Sequence, residues 1–150
     1  MKQNIQLKSK KLARIIKQCK DLPGHNLFEY KDESGEIKTL TSDQVNEYIK
    51  TLTNEDFTAK DFRTRHGTVF ALSVIHQDMD SEEKLTIPRI IDAVAAELGN
   101  TRTVCKKYYI HPAVFELYES DGLKKYYEKY CNCSDLDRYE KMLCAMLEKM

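Results

Sequence analysis

Leu12, Ile15, Ile16 and Cys19 recur at helical spacing behind Ser9, a residue suited to cap a helix running to about Lys20. Ahead of that helix Ile5 and Leu7 alternate with polar neighbours, as in a short strand, and Leu22-Pro23-Gly24 closes it. The runs Leu27-Phe28-Glu29-Tyr30 and Ile37-Lys38-Thr39-Leu40 flank Asp32-Glu33-Ser34-Gly35, the pattern of a small hairpin. Beyond position 40 the apolar period is helical throughout. Thr41 or Ser42 caps a helix carrying Val45, Tyr48, Ile49 and Leu52. Thr58 opens a longer one to about His76, with Phe62, Val69, Leu72 and Ile75 facing inward.

Gly67 inside that long helix carries a propensity penalty, which predicts a close helix contact there. Pro88 opens a helix with Ile90, Ile91, Val94, Ala95 and Leu98 on one face, and Gly99 is its stop. Short helices are expected over 102–109, 112–119 and 122–130. A last one follows Ser134, with Leu136, Tyr139, Leu143 and Leu147 as its stripe. With no repeat, low-complexity tract or linker, residues 1–150 read as one mainly α domain with a small β element near the N-terminus.

The chain is long enough to bury a core, and 32% charged with 41% apolar residues suits a folded rather than disordered protein. No apolar run could span a bilayer, and the lysine-rich start lacks a signal peptide's apolar segment. A cytoplasmic protein without membrane association is expected. Its five cysteines are then simply reduced thiols. Cys131-Asn132-Cys133 invites a zinc reading, but no second Cys or His pair stands at finger or ribbon spacing, so no metal site is expected.

Lysine plus arginine and aspartate plus glutamate both number 24, a formal net charge of zero that argues against a nucleic-acid partner. The distribution weakens the objection. Lys60, Arg63, Arg65, Arg102, Lys106 and Lys107 gather around two motifs, while acidic residues concentrate in 29–36, 43–56, 78–83 and 116–121. A neutral protein can still present one basic face.

The two motifs are Lys60-Asp61-Phe62-Arg63-Thr64 and Leu98-Gly99-Asn100-Thr101, the second followed nine residues after Asn100 by Tyr109. Arginine, a polar amide and tyrosine suit transfer of a DNA phosphoryl group to a protein hydroxyl. The planar arginine fork donates two parallel hydrogen bonds to equatorial phosphoryl oxygens and keeps its charge. The amide adds a neutral donor. A phenol can attack and later leave, so the bond energy is stored and neither ATP nor a divalent metal is required. Taken singly, each residue has a plainer role: a surface arginine, a helix-end cap, one of nine tyrosines.

Taken together they resemble the bacterial-type DNA topoisomerases IB, relatives of the poxvirus enzyme, over about residues 7–118. The matching segments include Leu12-Ala13-Arg14-Ile15-Ile16, Asp21-Leu22-Pro23-Gly24, Leu27-Phe28 and Val45-Asn46-Glu47-Tyr48. They continue through Phe57-Thr58-Ala59-Lys60-Asp61-Phe62-Arg63-Thr64, Gly67-Thr68, Leu98 to Thr101, and Val104-Cys105-Lys106-Lys107-Tyr108-Tyr109-Ile110-His111-Pro112. The resemblance implies the helical catalytic fold shared with tyrosine recombinases, no cofactor, and a monomer acting on double-stranded DNA at the nucleoid. Tyr109 would be the nucleophile, Arg63 the second catalytic arginine, and Asn100 would stand where many relatives carry histidine. Lys60, Arg65, Arg102, Lys106 and Lys107 would contact DNA. Tyr108 is the rival nucleophile, and the spacing from Asn100 favours Tyr109.

Two departures stand out. The residue after Arg63-Thr64 is usually aromatic in that family, and here Arg65-His66 follows. The family also carries a further arginine and a general-acid lysine upstream, and Lys2 and Lys8 lack its Gly-Lys turn context. The chain is therefore expected to be the C-terminal portion of the catalytic domain, without the N-terminal clamp domain, and to be nearly inert on supercoiled DNA on its own, since general-acid catalysis is typically worth about 10²–10⁴-fold. Tyrosine recombinases share the order of arginine, polar residue and tyrosine and are the nearest alternative. A non-catalytic DNA-binding or interaction module is the other, and would suit Arg63, Asn100 and Tyr109 lying far apart.

Overall fold

The structure, a computed structural model, describes residues 8–20, 26–79, 81 and 83–148. The expected strand at Ile5 and Leu7, the stop at Leu22-Pro23-Gly24, and Lys2 lie outside the described residues. The chain divides into two units, residues 1–59 and 60–150.

The first unit holds α1 (Lys10–Lys20), the antiparallel pair β1 (Glu29–Lys31) and β2 (Ile37–Thr39), and α2 (Ser42–Thr53). Glu29 pairs with Thr39, Tyr30 with Lys38 and Lys31 with Ile37, so the hairpin forms where the sequence pattern puts it. Its turn is organised by one carboxylate. Asp32 accepts hydrogen bonds from the amides of Ser34 and Glu36 and from the Ser34 hydroxyl, and pairs with Lys38 at 2.6 Å. Gly35 supplies the φ of 85° that the turn needs. Thr41, rather than Ser42, caps α2 in a reciprocal box with Gln44, whose amide also reaches the Tyr30 hydroxyl at 2.9 Å.

No residue of α1 or α2 is buried. The apolar faces expected to turn inward stay largely in solvent, with Leu12, Ile15, Ile16, Tyr48 and Leu52 exposed and Val45 and Ile49 half-buried. Among the described residues of this unit no second layer covers them. Periodicity alone identifies the stripe but not what it meets.

The second unit carries the core. It contains α3 (Ala59–Gln77, entering from the first unit at its first residue), α4 (Ile87–Leu98), α5 (Arg102–Val104), a π-helical turn (Cys105–Tyr109), α6 (Pro112–Glu119), α7 (Lys124–Lys129) and α8 (Asp135–Leu147). Ala71, Leu72 and Ile75 of α3 meet Ile90, Val94 and Leu98 of α4, Val114 of α6, and Met142 and Met146 of α8 in one cluster. Phe62 does not join it. It is exposed, because the buried face of α3 begins only at Gly67. Leu147 is exposed likewise: α8 buries Tyr139, Met142, Leu143 and Met146, a face rotated towards the methionines, and the Leu136 side chain lies outside the described residues.

Polar groups inside this unit are satisfied by specific partners. The Tyr127 hydroxyl donates to the Leu72 carbonyl at 2.8 Å, and burial pushes its phenol far above the ordinary value. The Arg138 guanidinium donates to the carbonyls of Tyr130, Cys131 and Cys133, so Cys131-Asn132-Cys133 forms the turn between α7 and α8. Among the described residues no three His, Cys, Asp or Glu side chains gather as metal ligands. None of the described helices is long and apolar enough to cross a membrane.

The Asp32 carboxyl is held down to about 2, chiefly by the Lys38 ammonium and then by the Ser34 hydroxyl. A carboxylate whose pKa falls on folding stabilises the hairpin fully above its ordinary value of 3.8, and that contribution is lost as pH falls through about 2. Amide exchange at Ser34 and Glu36 is therefore expected to lose protection between pH 4 and 2. In Asp32→Asn that pH dependence should vanish. Unchanged protection down to pH 2 in the unaltered chain would contradict the assignment.

Candidate active site

The end of α4 and the face of α3 meet at a single arginine. Pro88 opens α4, and Gly99, at φ 57°, ends it with the Asn100 amide donating back to Ala95 at 2.9 Å. The terminal carbonyl of Leu98 accepts a hydrogen bond from Arg63 Nη2, a cation set against the negative end of a helix. The same guanidinium stands over the Tyr109 ring, 5.3 Å from its centroid. Arg63 Nε is buried and has no hydrogen-bond partner among the described residues. A buried donor of a charged side chain with no partner calls for a functional explanation.

Asn100 sits two residues beyond the Leu98 carbonyl, at the joint between α4 and α5. Its Oδ1 accepts from the Thr101 amide at 3.0 Å, and the side-chain NH₂ has no partner among the described residues. Thr101 in turn caps α5 through the Val104 amide. Asn100 thus does the plainer capping work and keeps a donor spare. Arg63, Asn100 and Tyr109 lie around one helix end rather than far apart.

Tyr109 is the last residue of the π-helical turn, closed by the Ile110 amide donating to the Cys105 carbonyl at 3.1 Å. A continuous helix was expected across 102–109. The wider turn breaks it, a feature frequent at functional sites. Contacts along α3 hold the segment in place. Thr64 Oγ1 donates to the Tyr108 carbonyl at 3.0 Å. Thr68, buried to 1% exposure, accepts from the His111 amide at 3.1 Å and donates to Thr64. Between them lies Gly67, where a Cβ would stand 2.3 Å from the Tyr109 carbonyl oxygen and 3.1 Å from Leu98. Cys105 is fully buried; burial pushes its thiol up, opposed by the nearby Arg63 charge.

The flanking cations separate into two groups. Arg65 pairs with Glu140 of α8, and Arg102 lays its fork on Asp92 of α4, which raises the guanidinium pKa further. Among the described residues Lys60, Lys106 and Lys107 form no ion pair. Lys60 and Lys107 stand against the Tyr108 ring, which is exposed, and Lys106 and Lys107 line an open groove of about 700 Å³ with Ile87, Pro88, Ile91, Arg102 and Thr103.

Sequence reasoning did not single out Thr64, Thr68, Cys105, Asp92 or Glu140. The small and hydroxyl-bearing face of α3 at 64, 67 and 68 was visible as a pattern. The two carboxylates were not, because each pairs across a helix boundary, Asp92 from the preceding helix and Glu140 from the last one.

Residues 1–135 match the family described as eukaryotic DNA topoisomerase I, catalytic core. The chain belongs to that family. A DNA topoisomerase 1B of Acanthamoeba polyphaga mimivirus is 28% identical over 117 residues, covering 71% of this chain and 35% of the relative. The chain therefore spans about a third of that relative's length. The mainly helical fold with its small two-stranded sheet agrees with membership of the topoisomerase I catalytic-core family.

Gly67→Ala should destabilise this topoisomerase-family fold by about 1–3 kcal/mol through overpacking, outweighing a helix-propensity gain of about 1 kcal/mol. Urea unfolding measures it. A variant as stable as the unaltered chain would mean that the approach of α3 to the Tyr109 carbonyl is not tight.

Proposed function

We propose that this chain forms the tyrosine-bearing, C-terminal part of a type IB topoisomerase catalytic domain, with wording closest to the bacterial-type, poxvirus-like branch. In this reading it nicks one strand of double-stranded DNA and rejoins it. The Tyr109 phenolic oxygen bonds to phosphorus as the bond to the 5′ oxygen breaks, leaving a 3′-phosphotyrosyl link. Return of the 5′ hydroxyl reverses the step. Arg63 supplies the charge-assisted donors to the phosphoryl oxygens, and Asn100 a neutral one. No residue described here is given the role of general acid to the 5′ oxygen. The family resemblance assigns that to an upstream lysine.

The observation that carries the reading is the Arg63 guanidinium, oriented by the Leu98 carbonyl, set over the Tyr109 ring, and left with a buried Nε donor unused. An arginine kept only for structure would have its donors satisfied by the protein. Family membership supports the topoisomerase reading over the recombinase one.

In a longer polypeptide that supplies the upstream arginine and lysine, Tyr109→Phe is expected to abolish the denaturant-trapped DNA adduct, while Tyr108→Phe still forms it. Mapping the labelled peptide to Tyr108 would overturn the assignment of Tyr109.

Arg63→Ala should cost about 3–4 kcal/mol of transition-state stabilisation, as for loss of one or more oxyanion donors. Asn100→Ala should cost less, because it removes a neutral donor. Single-turnover cleavage rates give the order. A larger loss for Asn100→Ala would contradict the assigned roles.

A further inference from the structure

Tyr108 is an exposed aromatic residue beside the proposed nucleophile, and it takes no part in the core. Its backbone is nonetheless fixed, since its carbonyl accepts from Thr64 of α3. Its ring meets two ammonium groups from different elements: Lys60 Nζ of α3 at 4.8 Å from the centroid, and Lys107 Nζ of the π-helical turn at 5.1 Å. Neither lysine has a carboxylate within ion-pair distance among the described residues. Arg65 and Arg102 differ, being neutralised by Glu140 and Asp92. The two lysines are thus cations that the protein gathers without discharging.

Like charges gathered around one ring repel, and the negative face of the ring offsets only part of that repulsion. An anion within reach of both ammonium groups offsets the rest. A free lysine gives up rotamer freedom when it meets a ligand, and a stem already laid against a ring has less to lose. The compact, strongly hydrated ammonium suits a tetrahedral phosphate monoanion as a point charge.

We propose that Tyr108 is a positioning residue whose ring holds Lys60 and Lys107 as a two-cation clasp for a DNA backbone phosphate beside the one presented to Tyr109. The clasp rests on the DNA reading above and assigns Tyr108 a task separate from nucleophilic attack. It also gives Lys60 and Lys107 a joint role that Lys106, which has no ring partner, does not share.

The test is titration of a short fluorescein-labelled duplex with the full chain, by anisotropy, over a series of NaCl concentrations. Removing Lys60 and Lys107 together should lower the magnitude of the slope of log K against log salt by about 0.9, and Lys60→Ala or Lys107→Ala alone by less, because both meet one phosphate. Tyr108→Leu keeps both charges and should weaken binding about two- to fivefold at low salt. Tyr108→Phe, which keeps the ring face, should restore it. In a chain lacking both lysines, Tyr108→Leu should have no further effect, a dependence that a merely structural tyrosine would not show. Unweakened binding by Tyr108→Leu, or equal weakening without the lysines, would overturn the clasp alone. If the unaltered chain binds no duplex even at low salt, the DNA reading falls and the clasp with it.

Discussion

The backbone of α3 touches the carbonyl of Tyr109 at Gly67, and most of the site depends on that approach. A Cβ at this position would stand 2.3 Å from the oxygen, so any other residue forces the two segments apart. One turn away on the same face, Thr64 takes the Tyr108 carbonyl, and Thr68 takes the His111 amide. These bonds fix the π-helical turn against the helix that also carries Arg63. The backbone thus fixes where the Tyr109 ring stands, and the Leu98 carbonyl orients the guanidinium over it. Preorganisation of this kind is what electrostatic stabilisation of a phosphoryl group requires.

A formal charge of zero would ordinarily point away from DNA. The structure shows a finer arrangement, in which carboxylates from α4 and α8 silence two of the cations near the site and leave three lysines without an ion pair among the described residues. Net charge averages over these differences. Local pairing decides which cations can meet a phosphate, and exposed pairs such as Arg102 with Asp92 are weak enough to exchange partners.

The helices from α2 to α8 were legible because apolar period and capping residues agree along each, as in the Thr41 box and the Pro88-to-Gly99 span. The hairpin followed from its turn chemistry at Asp32 and Gly35. Less legible was burial at helix ends: Phe62 and Leu147 keep the period but extend past the core, so they are exposed. The amphipathic face of α1 announced a contact that the described residues of its own unit do not provide. The three residues expected to act on phosphate were marked by spacing and resemblance, and the structure brings them around the end of α4. The π-helical turn left no sequence signal, because its extra residue per turn is imposed by the anchoring on α3 rather than by the propensities of Cys105 to Tyr109.

The central claim is that Arg63 and Tyr109 face one phosphoryl group. Orthovanadate adopts the five-coordinate geometry of a phosphoryl group in transfer, so the most direct measurement is a crystal structure of the protein with DNA ends and vanadate. Vanadium is expected to bond to the Tyr109 phenolic oxygen, with Arg63 donating to an equatorial oxygen. Vanadate bonded to Tyr108, or bound at Tyr109 with Arg63 still turned wholly to the Leu98 carbonyl, would contradict it.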